Sequence, residues 1–340
     1  MATTLRDVAD RAQVSVRTVS NVLGGYEHVS ARMRARVQTA IEELDYHPNP
    51  VARALRTGRS GVLSLVVPEI NQPYFSELAA AVIDAAAAYG YRVAIDQTGN
   101  EPERERQLLT GQDPSVLVDG LIFASSVTEA ELQEMRASMR TPVVLLGENR
   151  AGGHFDHVAI DNRRAAVDAV AHLVGIGRTT IAAIGVQPDT EFETPRMRAL
   201  GYADALEAAG LRARDGYLLS TSSYSRPEGY AAAQALLALD PRPDAIFCFS
   251  DLLAIGAMRA VFDAGLRVPE DIAVIGIDNI QEGRYSRPSL STIALDMSFA
   301  AAKAIHQLVQ RIEDPSVEPE EIVAPHRLVV RESTGGGADA

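Results

Sequence analysis

Tryptophan is absent from the 340 residues, and cysteine occurs once, at Cys248. One cysteine cannot close an internal disulfide, which suits a reducing compartment. No run of about 18 uninterrupted apolar residues exists, so no segment is suited to span a bilayer as a helix. The opening MATTLRDVAD lacks a basic stretch followed by an apolar one, so no secretion leader is expected and the cytoplasm is the expected location. Catalytic signatures are missing too: no G-x-G-x-x-G after a strand, no G-x-x-x-x-G-K-[ST], no H-E-x-x-H and no G-x-S-x-G. His154 and His157 have a metal-like spacing, but they stand in the glycine-rich GGHFDH without a third ligand, so a solvated loop is expected. Cys248 lies in the apolar run AIFCFS with no base beside it and is expected to be a core thiol. Neither a metal, nor a cofactor, nor enzymatic activity is expected.

The length predicts two or three folding units, and 46% hydrophobic with 23% charged residues is ordinary for a globular chain. Net charge is −13, but it is unevenly spread. Residues 1–60 carry nine arginines, no lysine and six carboxylates, a formal +3, which leaves −16 for the remainder. A basic head on an acidic body fits a protein that presents one end to phosphates.

Leu5, Val8, Ala9 and Ala12 share one helical face, with Thr4 as the cap and Asp7 three residues on. After the break Gln13-Val14-Ser15, Ser15 caps a second helix from Val16 to about Leu23, burying Val19, Val22 and Leu23. Gly24-Gly25 stops it. Ser30 caps a third, from about Ala31 to Leu44. Three short helices with a tight first turn make a helix-turn-helix, whose second helix enters the major groove. Val16, Arg17, Ser20 and Asn21 are left pointing outward. Arginine can read guanine with two hydrogen bonds, asparagine adenine, and valine a thymine methyl. The next segment, YHPNPVARALR, has a cap at Asn49 and proline at the first helical position, then Thr57-Gly58. A helix this short is marginal in water, so it behaves as a hinge that forms on docking.

The stretches TLRDVADRAQVSVRTVSNVL, HVSARMRARVQTAIEELDYHPN and VARALRTGRSG resemble the lactose-repressor (LacI/GalR) family, and the resemblance runs over essentially the whole chain. It implies hinge helices paired in the minor groove, with Leu55 wedging a base step open. The recognition positions it carries over are Val16, Arg17 and Asn21. Asn21 stands where arginine is common, and Gly24 where asparagine is frequent, two departures from the family's pattern. With Thr18, Ser20, Ala52 and the cap residues Thr4, Ser15, Ser30 and Asn49, these form the expected DNA-contacting set.

From Gly61 onward, nine apolar runs (GVLSLVVP, YRVAIDQ, GLIFAS, PVVLLG, HVAIDN, TIAAIG, DAIFCFSD, DIAVIGID, HRLVVRE) alternate with amphipathic stretches. Repeated βα units build parallel sheets, and so many strands call for two α/β lobes. The expected fold is an all-α headpiece (1–48), a hinge (49–60) and a two-lobed body (61–335). Lobe 1 takes about 61–160 and 294–320, lobe 2 about 163–290 and 323–335. The resemblance implies a periplasmic-binding-protein-like pair joined by three crossings, placed near Ile160–Asn162, Leu290–Ile293 and Glu321–Val323.

Ligands in open α/β sheets sit beyond the carboxyl ends of the strands. Those ends offer Asn71, Tyr74, Phe75, Asp96, Ser125, Glu148, Asp251 and Asp278, with Arg198 opening a helix nearby. Such groups suit a polyhydroxylated ligand. The resemblance puts pocket positions at Asn71, Arg198, Asp251 and Asp278, and at Met297, where an aromatic is common. Without tryptophan, ring stacking falls to Tyr74 or Phe75. The resemblance implies a transcriptional repressor switched by a small molecule, a sugar before a purine. It also implies a homodimer partly formed by the helix spanning 71–88, on a pseudo-palindromic duplex. The tail after Arg331, ESTGGGADA, has no leucine heptad, so a coiled-coil tetramer is not expected. A sugar-processing enzyme would fit the body alone, but the headpiece argues against it. A transport-type solute-binding protein would need export.

Overall fold

The computed structural model describes residues 3–24, 26, 28–47, 59–112, 117–124, 127, 129–147, 153–187 and 193–337. The chain divides into two compact units, Met1–Gly61 and Val62–Ala340.

The first unit holds α1 (Leu5–Ala12), α2 (Val16–Leu23) and α3 (Ala31–Glu43). Thr4 opens α1 through a capping box: its hydroxyl accepts from the Asp7 amide, while the Asp7 carboxylate accepts from the Thr4 amide at 2.8 Å. Gln13 takes a left-handed conformation, φ 50°, and turns the chain. Ser15 then caps α2 by accepting from the Thr18 amide at 3.1 Å. Val8, Ala9, Ala12, Val19, Val22, Val37, Ala40 and Tyr46 bury one another. Arg36 of α3 donates to the Ala12 carbonyl at 2.6 Å, which ties the third helix to the turn.

The second unit is two parallel-sheet lobes. The first sheet contains β1 (Val62–Val67), β2 (Arg92–Gln97), β3 (Gly120–Phe123), β4 (Val143–Leu146), β5 (Asp156–Ile160) and β11 (Glu321–Ala324), in the order β11-β5-β4-β3-β1-β2. The second contains β6 (Ile181–Val186), β7 (Leu218–Ser220), β8 (Ala245–Cys248), β9 (Ala273–Ile277), β10 (Ser291–Leu295) and β12 (His326–Val329), in the order β12-β10-β9-β8-β6-β7. Every neighbouring pair is parallel except β10 and β12. Strands buried on both faces explain why the apolar runs do not alternate. In β1, Leu63, Leu65 and Val67 pack on α4 (Pro73–Ala87) and α12 (Met297–Glu313), whereas Val66 packs with Leu109 and Phe123 on the opposite face.

Lobe 1 also carries α5 (Pro102–Thr110) and α6 (Glu129–Met135). Lobe 2 carries α7 (Asn162–Gly175), α8 (Glu193–Ala208), α9 (Arg226–Leu237), α10 (Asp251–Asp263) and α11 (Gln281–Tyr285). The first passage between lobes runs through Asp161, where β5 ends and α7 begins. The other two lie later than expected. β10 belongs to the second sheet, so the chain returns at Asp296, and β11 belongs to the first, so it leaves again at Pro325. The lobe boundaries therefore fall at 296 and 325, not near 290–294 and 321–323. Three strands escape the sequence reading. β7 has three residues, β11 is half-exposed, and β10 begins with two polar residues buried by hydrogen bonding.

Helices α9 and α10 approach until backbone touches backbone. A Cβ on Gly256 would stand 2.1 Å from the Arg226 carbonyl oxygen, and one on Gly229 2.2 Å from that of Leu253. Gly256→Ala is therefore expected to lower the unfolding free energy of the body by about 1–3 kcal/mol, the usual cost of overpacking. Gly175→Ala, with nothing within 4 Å of the added carbon, serves as the control. Denaturant titration of both variants checks the difference.

Candidate functional site

The capped start of α2 presents the first polar surface. Val16 is 44% exposed, and Arg17 is exposed and forms no ion pair with any described residue. Asn21 is half-buried one turn on. Thr18 spends its hydroxyl on Ser15, 2.9 Å away, and Ser30 caps α3 through the Met33 amide. Ser20 departs from its expected outward position, because its hydroxyl oxygen is shut away from solvent. It lies on the side of α2 that turns into the unit, one residue beyond the buried Val19. Asn49, Ala52 and Leu55 lie outside the described residues.

The second surface is a cleft between the two lobes, with a cavity of about 270 Å³. Lobe 1 lines it with Glu69, Gln72, Tyr74, Phe75 and Asn100, and with backbone around Gly147. Lobe 2 supplies Asn162, Gln187, Glu193, Arg198, Ser222, Ser223, Tyr224, Ser250 and Asp278. These follow the carboxyl ends of their strands, where parallel sheets leave a crevice.

Four residues expected from sequence meet in this wall: Tyr74, Phe75, Arg198 and Asp278. Tyr74 and Phe75 sit edge to face with centroids 4.9 Å apart. Arg198 is buried, its Nε donating to the Asn162 side-chain oxygen at 2.7 Å and Nη1 to the Phe249 carbonyl. Two neutral acceptors hold the guanidinium in place, so its charge remains directed at the cleft and Asp278. Asn71 is exposed, and its neighbour Gln72 takes the wall position. Asp96 instead accepts the Ser64 hydroxyl at 2.6 Å within lobe 1. Met297 packs against the lobe 1 core. Ser125 and Glu148 lie outside the described residues.

Asp251 is displaced by one residue from its expected role. Ser250 reaches the cleft, whereas Asp251 is fully buried behind it. Its Oδ2 accepts from the Ile280 amide at 2.9 Å, and Oδ1 from the Thr292 hydroxyl at 2.7 Å. A Cβ on Gly276 would lie 2.2 Å from that Oδ1, so glycine there makes room for the carboxylate. These bonds hold a loop in which two successive non-glycine residues have positive φ, Asp278 at 121° and Asn279 at 60°. Such conformations persist only where the surroundings enforce them. Arg331 supplies the second restraint, donating to the Asn279 side-chain oxygen and the Leu290 carbonyl, each at 2.8 Å.

Burial raises the Asp278 carboxyl to about 7, against the lowering influence of Arg198 and of the Asp251 amide, while Glu77 adds to the rise. Burial, then Asp278, pushes the Tyr74 phenol well above its ordinary range, so it stays protonated and can donate. Sequence reasoning missed the Ser222–Tyr224 loop because the three-residue β7 before it went unread; the run STSSYS was the available signal. The two histidines part company. His157 is buried on β5 against the Gly147 carbonyl at 2.6 Å, not in a solvated loop, while His154 lies 3.2 Å from Arg136. Burial raises the Cys248 thiol, which keeps it unreactive.

A helix-turn-helix followed by a two-lobed body with a polar inter-lobe cleft defines a DNA-binding transcription regulator that carries its own sensor, not an enzyme. Residues 4–49 match the lacI family of bacterial regulatory proteins, and residues 170–334 match a periplasmic binding protein-like domain. The chain is 33% identical over 335 residues to catabolite control protein A of Priestia megaterium, covering 98% of this chain and 100% of that protein. Its structure is similar to that of the lac repressor dimer bound to operator and the anti-inducer ONPF, with TM-score 0.86, 26% identity and coverage of 98% and 99%. It is also similar to the regulator CelR in complex with cellobiose, with TM-score 0.71, 31% identity and coverage of 97% and 99%. The chain belongs to the LacI family.

The Asp278 ionisation carries a pH signature. The unfolded carboxyl titrates near 3.8 and the folded one near 7, so between these values unfolding releases a proton. Stability from this group therefore falls as pH rises through that window and levels off above it. In thermal melts from pH 4 to 8, Asp278→Asn should flatten the pH dependence of the body and raise its melting point at the upper end. An unchanged slope would mean that Asp278 titrates normally in the fold.

Proposed function

We propose that the protein is a cytoplasmic, dimeric repressor that reads a pseudo-palindromic operator and is switched by a sugar bound between its lobes. Val16, Arg17 and Asn21 read base edges, and the hinge residues Asn49, Ala52 and Leu55 engage the minor groove. Arg198 and Asp278 are the principal effector contacts, with Tyr74 and Phe75 offering ring faces. The observation that carries the reading is the inter-lobe wall, where a fixed guanidinium, a carboxyl, amides and hydroxyls converge beside two aromatic rings. Sugar hydroxyls both donate and accept, and such a wall answers both. The relatives support the assignment: one is in complex with cellobiose, another is a dimer bound to operator. That no helix among the described residues is long and apolar enough to cross a membrane agrees with a DNA-bound life.

The dimer surface is assigned to α4. Ala81 and Ala85 pack partly on the lobe 1 core, whereas Ile83 is 44% exposed on the same helix. Ile83→Asp should shift the protein toward monomer in sedimentation, and an unchanged dimer would remove α4 from the interface.

The direct test is titration onto a labelled operator from DNA flanking the gene, at fixed salt because phosphate contacts dominate affinity. Specific binding should exceed that to random DNA by about a thousandfold or more. Arg17→Ala should lose about 1–3 kcal/mol on operator and little on random DNA. Equal losses on both would make Arg17 a phosphate contact. A sugar that changes operator affinity identifies the effector and the sign of the switch.

A further inference from the structure

We infer that the cleft takes an uncharged, hydroxyl-rich ligand and rejects phosphorylated sugars, a narrowing that rests on the sugar reading above. The first argument is charge. Among the described residues of the wall, Arg198 is the one cation, against the carboxylates of Glu69, Glu193 and Asp278. Glu193 is paired with Arg196 at 2.8 Å, and Asp278 faces Arg198. Among the described residues Glu69 meets only the neutral amide of Gln72, at 3.0 Å, so with Asp278 about half ionised at neutral pH the wall has no surplus of positive charge to receive a phosphate. A phosphate brought here meets the Glu69 carboxylate in a partly dry crevice, and that like-charge contact disfavours it.

The second argument is independent of the first. In α/β proteins phosphate is held by the free amides at helix N-termini. Several helices start at this cleft, and in lobe 2 the chain has filled those starts with its own acceptors, while α4 and α5, whose caps Gln72 and Glu101 make no side-chain bond, begin with Pro73 and Pro102, which have no amide to offer. Asp161 accepts from the Arg164 amide of α7 at 2.9 Å, and Ser250 from the Leu253 amide of α10 at 3.3 Å. Asp251 takes the Ile280 amide at 2.9 Å, and Glu77 the Gln281 amide at 3.4 Å, at the start of α11. In α8, Pro195 removes an amide from the first turn. Each of these starts has an amide occupied or removed, while the acceptors that sugar hydroxyls need remain on the wall.

The experiment is calorimetric titration of the full chain, at fixed pH and ionic strength, with glucose, maltose and cellobiose and with the 6-phosphate of each. The expected result is binding of a neutral sugar, with its phosphate about a hundredfold weaker or worse. Glu69→Gln should narrow that gap, the ratio of neutral to phosphorylated affinity, because the amide still hydrogen-bonds a hydroxyl but no longer repels a phosphate. A phosphorylated sugar that binds as tightly as its neutral twin overturns the charge inference and leaves the sugar reading standing. A gap untouched by Glu69→Gln overturns the charge argument. Failure of every sugar, neutral or phosphorylated, overturns both readings.

Discussion

The sensor body depends on one buried carboxylate. Asp251 has no exposure to solvent and no cation as partner among the described residues, so burial, and then the Asp278 charge, drive its carboxyl well above the ordinary range. An unpaired buried carboxyl is costly unless hydrogen bonds satisfy it. Here the Ile280 amide and the Thr292 hydroxyl do so, while the Asp251 amide turns outward to Asp278. One residue thus binds the start of α10, the loop after β9 and the strand β10. The loop it holds is strained at Asp278 and Asn279, and strain of about 1–3 kcal/mol per residue survives only in a rigid frame.

That frame ties the effector wall to the points where the chain changes lobes. Thr292 sits on β10, which ends at the Asp296 passage. Arg331 follows β12, which begins just after the Pro325 passage, and its guanidinium grips Asn279 and Leu290. Asp296 and Pro325 are themselves bonded, amide to carbonyl, at 3.1 Å. A ligand that draws on Asp278 therefore pulls on a loop fastened to both returning strands. Packed elements of this kind shift as units, which is how small movements at a pocket become lobe movements.

The headpiece was legible in detail because its information is local: caps at Thr4, Ser15 and Ser30, and apolar residues at helical spacing, need no knowledge of distant contacts. The body was legible as a class for a similar reason, since strands buried on both faces are continuous apolar runs. What stayed hidden depends on partners far along the chain. β10 reads STIAL, and its polar start is buried because Arg331, Ser333 and Thr334 bond to Ser291 and Asp251 accepts from Thr292, all some forty residues away. Reading it as part of a loop displaced the second passage by a strand. The exchange of Ser250 for Asp251 has the same origin. Both follow the end of β8, and which one faces the cleft is decided by the pocket for Asp251 that Gly276 on β9 and Thr292 on β10 create.

One contact between the facing lobes is weak enough to yield to a ligand. Across the cleft, the Gln281 amide of lobe 2 meets the Glu77 carboxylate of lobe 1 at 3.4 Å, near the limit for a hydrogen bond. Burial raises the Glu77 carboxyl, and Glu282 opposes its charge, so this bond is made against resistance. A bond of that kind contributes at most about 0.5–1.5 kcal/mol. Allosteric coupling energies are about 1–3 kcal/mol, a similar size. Two or three hydroxyls bridging Glu69 or Gln72 on one side to Arg198 and Asp278 on the other would exceed this bond and bias the lobes toward closure. A much stronger inter-lobe bond would hold the cleft closed with or without effector, and a switch requires that it not do so.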